Sequence, residues 1–191
     1  MILPAVVAWL LMASEAQAHD VVAGVGGFSG GLLHPLLVQT HVLALIALGL
    51  ALGQKKLWPR ADLILFAAGL LAGIMLIVAA FAVTTDRAVL AVAAAAGIAV
   101  AIGWPLPLVV SGPLATMAGV AIAFDSVPQD ISMQTTFLAL LGTAVSATVA
   151  VGVLAEGTRR LARDWQRIGV RIFGAWIAAA GIMVLALRLA A

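Results

Sequence analysis

Two histidines, His34 and His41, stand seven residues apart in the apolar run Gly31 to Leu52. That run is long enough to cross a bilayer as a helix. Seven residues make two helical turns, so the spacing predicts both imidazoles on one face. At about 1.5 Å per residue, His41 is expected roughly 10 Å deeper than His34. An ionisable group at membrane depth is costly, and it usually faces a bundle interior or a wet cavity. Imidazole is also the commonest metal ligand among side chains. A carboxylate, Asp125, closes a later apolar run on the side of the membrane where His34 lies. Two imidazoles and a carboxylate suit a borderline divalent metal such as nickel, cobalt or zinc. The same set can serve as a proton relay or a structural hydrogen-bond cluster. Taken singly, His34 also reads as an interfacial polar residue and Asp125 as a loop residue. His41 also reads as an interior histidine bonded to Thr40, Ser111 or Thr116.

The elements that must position these groups are membrane helices. The chain of 191 residues is 64% hydrophobic and 9% charged, with a net charge of +2 and no cysteine. Soluble domains carry about 25% charged residues. The expected fold is therefore an all-α membrane protein, a six-transmembrane-helix bundle after an N-terminal signal peptide. Ile2 to Met12 is apolar but short, and Ala16-Gln17-Ala18 forms an A-x-A-type cleavage site. Residues 1–18 are read as a signal peptide, 19–30 as a Gly-rich lead-in outside the membrane, and 31–191 as the helical domain. Cleavage after Ala18 would leave His19 with both a free amine and an imidazole, a third candidate metal group. The spans are expected at about 31–53, 61–83, 87–104, 106–124, 133–155 and 169–190. The turn Trp104-Pro105-Leu106-Pro107 predicts that the third and fourth spans are antiparallel neighbours.

Basic residues orient the bundle. Lys55, Lys56, Arg60, Arg159, Arg160, Arg163, Arg167 and Arg171 fall on one side, against Arg87 and Arg188 on the other. Lys and Arg accumulate on the cytoplasmic side. The mature N-terminus and the C-terminus are then both outside, in the periplasm of a two-membrane host. This asymmetry accounts for the basic residues without nucleic acid, and the bilayer is the expected partner. Residues 156–168, with arginines at i, i+4 spacings and Trp165, read as a short amphipathic helix on anionic headgroups. A soluble protein partner is the alternative occupant of that loop. Gly69 and Gly73 form a G-x-x-x-G read as a packing surface within the bundle, with a dimer interface as the alternative. Thr135, Thr136, Thr143, Ser146 and Thr148 make the fifth span hydroxylated, which predicts interhelical bonding ahead of a polar path.

The layout resembles the HupE/UreJ family of bacterial membrane proteins. The residues that carry the resemblance are His19, Gly26-Gly27-Phe28-Ser29-Gly30-Gly31, His34-Pro35 and His41. They follow the family's early His, Gly-rich lead-in and first-span H-P-x-x-G-x-D-H. Val38 stands where that motif has glycine and Thr40 where it has aspartate. The family's span-four H-G-x-A-H-G-x-E corresponds to Ala118-Gly119-Val120-Ala121-Ile122-Ala123-Phe124-Asp125, with both histidines replaced. The resemblance implies a nickel or cobalt permease of the bacterial inner membrane, with His34, His41 and Asp125 as the surviving metal residues. Copper and zinc fit the same donors. No resident cofactor is expected, only a transported divalent ion. A neutral hydroxyl at Thr40 weakens a dication site.

Two further functions remain open at this level. One is a non-transporting accessory, metal-sensing or assembly protein, motivated by the lost ligands. The other is an intramembrane enzyme, which would need a nucleophile–base pair. The chain has no cysteine and no G-x-S-x-G, leaving only a spatial Ser111–His41 pair, and the expectation is that it is not an enzyme.

Overall fold

The computed structural model describes residues 27–55, 57–79, 86–128 and 132–190. The signal-peptide region and His19 lie outside them. The described residues form seven helices: α1 (Gly27–Leu37), α2 (Gln39–Gly53), α3 (Arg60–Val78), α4 (Asp86–Ile102), α5 (Leu108–Asp125), α6 (Met133–Arg159) and α7 (Asp164–Ala190). Four of them, α3, α5, α6 and α7, are long and apolar enough to cross a membrane, and α1 with α2 forms a fifth candidate bent by 73°. At 17 residues α4 is apolar but shorter than a comfortable span. The described residues thus form an all-helical bundle with four to five candidate spans.

The bend in the first span corrects the single straight helix expected there. Val38 adopts extended backbone (φ −79°, ψ 115°) between α1 and α2. Pro35 lies three residues before the break. It has no N–H to give the carbonyl of Gly31, four residues back. In an apolar interior that carbonyl needs a donor. The Thr143 hydroxyl on α6 supplies it, at 3.1 Å. Gly27 to Gly31, expected as a flexible lead-in, instead form the first turns of α1. The missing side chains of Gly27 and Gly31 let α1 lie directly on α6. A Cβ at Gly31 would overlap the Ala139 carbonyl, and one at Gly142 would overlap the Phe28 carbonyl.

The remaining helices pair by the same device. α3 packs on α5 where Gly69 and Gly119 meet, each facing backbone of the other helix, and Gly73 faces Ala123. The G-x-x-x-G is therefore an internal packing surface. α4 lies chiefly on α7 and α5 chiefly on α3, so the helices joined by the Trp104–Pro107 turn touch each other but have closer partners. α2 runs through the centre, with ten of its fifteen residues buried. Such a helix is apolar all round and presents no single hydrophobic face. Leu45, Leu48 and Leu52 of α2, Phe66 and Leu70 of α3 and Ile122 of α5 form the core.

Residues 156–168 do not form a separate amphipathic helix. α6 runs on to Arg159 and α7 begins at Asp164, leaving four residues between. Glu156 binds Arg159 at 2.8 Å and Arg160 at 2.5 Å, which gives the arginines a partner on their own helix.

Candidate functional site

The bend sets the geometry of the histidines. His34 is on α1 and His41 in the first turn of α2, so they share no helical face. The fold nevertheless brings their rings to 5.3 Å, edge to face at 66°. His41 is 0% exposed, and His34 is half-buried. Asp125, the last residue of α5, reaches the same place. Its Oδ2 lies 2.8 Å from His41 Nε2, and its side chain is 12% exposed. The three groups predicted from sequence therefore meet, although the reason given for the two histidines was wrong. Thr40, Ser111 and Thr116 are not the partners of His41. Thr116 bonds the Gly112 carbonyl of its own helix at 3.0 Å.

The His41–Asp125 contact decides which imidazole nitrogen is available. A carboxylate accepts hydrogen bonds, so the proton belongs on Nε2. The buried Nδ1, which makes no hydrogen bond among the described residues, then presents a lone pair. A histidine held through one nitrogen by a carboxylate and free to ligate through the other is the usual outer-shell arrangement at metal sites. In this arrangement Asp125 orients His41 through Oδ2. Among the described residues no three His, Asp or Glu side chains are arranged to hold a metal ion together. The arrangement can offer nitrogen donors from two histidines, a count suited to brief residence.

A second polar cluster was not foreseen as a unit. Lys55, just past the end of α2, donates to Asp62 Oδ2 on α3 at 2.6 Å. It also lies 2.6 Å from Ser111 Oγ on α5. Ser111 in turn donates to Asp62 Oδ1 at 2.5 Å. The side chains of Lys55 and Asp62 are 15% and 3% exposed. The charge asymmetry of the sequence accounts for Lys55 only as an orienting residue. The signal for more was Asp62, an acid inside an apolar span seven residues after a lysine. This cluster also removes the Ser111–His41 pair on which an enzymatic reading depended.

The two clusters mark opposite ends of one helix pair. His41 and Lys55 are 14 residues apart along α2 and its end, and Ser111 and Asp125 are 14 apart on α5. At about 1.5 Å per residue that is roughly 20 Å. Leu45, Leu48, Ala115 and Ile122 fill the space between with apolar atoms. Ala118 and Ile122 are both buried in this core. The hydroxyls of α6 are spent on structure: Thr148 bonds the Ala144 carbonyl at 2.7 Å, and Thr143 serves Gly31.

No curated protein and no solved structure matched the chain. A family model described as HupE / UreJ protein matches residues 7–184, nearly the whole length. That family is linked to nickel and cobalt transport and comprises transporters and accessory proteins, not enzymes. Apolar helices long enough to span a bilayer fit the same assignment, and with a match over almost all of its residues the chain belongs to the HupE/UreJ family.

Proposed function

We propose that this protein is an inner-membrane permease for a divalent metal ion of the nickel or cobalt type, with an altered metal site. The observation that carries the reading is the buried His41, oriented by Asp125 and packed against His34. His41 Nδ1 and His34 are the proposed ligands, and Asp125 keeps His41 in the ligating tautomer. The ion is cargo, and a site poor in carboxylates holds it weakly enough to release it. His19, at a cleaved N-terminus, would collect metal outside the membrane. The proposed topology has six spans, with α4 as the short one. The basic end of the bundle faces the cytoplasm and both mature termini face the periplasm.

The test is metal accumulation by cells expressing the chain at matched membrane levels. His41→Ala and His34→Ala are expected to lower nickel and cobalt accumulation to that of cells without the protein. Asp125→Asn, which leaves the ligands in place, is expected to weaken apparent affinity about 10- to 100-fold. Accumulation equal to wild type in His41→Ala cells would overturn the proposal.

One observation favours a second reading. The core positions that correspond to the two span-four histidines hold Ala118 and Ile122, which close the space between the two clusters. A non-transporting metal sensor or assembly protein needs no path through that space. Flux by purified protein in liposomes excludes it. Metal binding without flux, together with co-purification of a second protein, supports it.

A further inference from the structure

A cavity of about 610 Å³ opens at the basic end of the bundle, where the end of α2, the α4–α5 turn, the end of α6 and the start of α7 meet. Lys55, Arg159, Arg167 and Arg171 line it, and no Asp or Glu does. Two of these cations are already engaged, Lys55 by Asp62 and Arg159 by Glu156. The other two are held by one nitrogen each. Arg171 Nε donates to the Ala101 carbonyl at 2.9 Å, and Arg167 Nε donates to the Leu161 carbonyl at 3.4 Å. Their terminal nitrogens remain to bind an anion. Gly103, at φ +75°, makes the turn after α4 and leaves room for the Arg171 guanidinium beside it.

Two further features narrow the ligand. Leu161, Pro105 and Val170 make part of the wall apolar, so the cavity suits an amphipathic molecule. Trp58, Trp104 and Trp165 are exposed at the same end, and tryptophans at that position belong at headgroup depth. Basic pockets between helices on the cytoplasmic side are suited to anionic lipid headgroups.

We infer that this cavity binds the headgroup of an anionic phospholipid, such as phosphatidylglycerol, with Arg167 and Arg171 taking its phosphate. The site is independent of the metal reading and uses none of its residues.

Lipid retention by the purified full chain, read by native mass spectrometry, tests it. The probes are phosphatidylglycerol, phosphatidylcholine and inorganic phosphate. Wild type is expected to keep phosphatidylglycerol over phosphatidylcholine by about 10- to 30-fold, the scale of two basic contacts near a membrane surface. Arg167→Gln with Arg171→Gln is expected to abolish that preference. If the double variant does not fold, Arg167→Gln alone, which gives up one 3.4 Å backbone contact, is expected to lose about fivefold. Wild-type retention by the arginine variants would overturn the proposal. So would displacement of bound lipid by inorganic phosphate, which would make the cavity a site for a soluble anion.

Discussion

At the residue scale, the fate of each polar side chain follows from what it costs to leave it unpaired away from water. Asp62 and Lys55 are tolerable near the basic end only because each holds the other and Ser111 completes the set. Lys55→Met would leave the Asp62 carboxylate buried without its cation. Removing one partner of a buried pair costs about 3 kcal/mol or more. Thermal unfolding in detergent should show that loss, with the double variant Lys55→Met, Asp62→Asn regaining part of it. Thr143 has a subtler duty. Thr143→Val keeps the shape but strands the Gly31 carbonyl, at a cost of about 1–3 kcal/mol. Its signature would be a looser α1, read as faster proteolysis near residue 31, with the rest of the bundle unaffected. The imidazoles follow the same logic, since His41 is satisfied on one nitrogen by Asp125 and has its other lone pair to offer.

At the scale of elements, small residues decide which helices become neighbours. In lipid the hydrophobic effect does not drive helices together, so close backbone approach and packing carry the association. α1 on α6, α3 on α5 and α4 on α7 each cross at a glycine that has no room for a side chain. Gly119→Leu must separate α3 from α5 and should abolish monodisperse elution after detergent extraction. Gly157→Ala, whose new methyl meets nothing within 4 Å, is the control and should elute as wild type. The break at Val38 belongs to this scale too. A proline in α1 and a close crossing with α6 together hold a bend of 73°, and the bend carries His34 to His41.

For the whole molecule, the distribution of charge and apolar length sets the topology. The chain has no cysteine, so single introduced thiols report cleanly. In intact cells with a permeable outer membrane, a membrane-impermeant maleimide should label Pro128→Cys and spare Ala162→Cys until the inner membrane is opened. The reverse pattern would invert the bundle and move the Arg-lined cavity to the outer leaflet. The two polar clusters, one at each end of the α2–α5 pair, are separated by about 20 Å of apolar core, so the proposed permeation would require those helices to part. If the permease reading holds, a crosslink tying the end of α2 to α5 through Lys55 and Ser111, whose side chains meet at 2.6 Å, should stop metal flux while leaving metal binding intact.

Composition and hydropathy were enough to make this a helical membrane protein, because a bilayer demands about 20 apolar residues per span and little else. The G-x-x-x-G was also legible, since it acts through its immediate surface. The interhelical bonding expected of the hydroxyl-rich span holds for Thr143, whereas Thr136, Ser146 and Thr148 bond back to carbonyls of their own helix or its cap. His34, His41 and Asp125 could be singled out because an ionisable residue in an apolar run is anomalous wherever it falls. The sequence alone could not reveal how the two histidines meet. Periodicity assumes an unbroken helix, and Pro35 with Val38 breaks it. The Lys55–Asp62–Ser111 cluster and the Arg-lined cavity were hidden for a related reason. Their members lie on different helices, and side-chain chemistry across helices exists only once the glycine crossings have fixed which backbones touch.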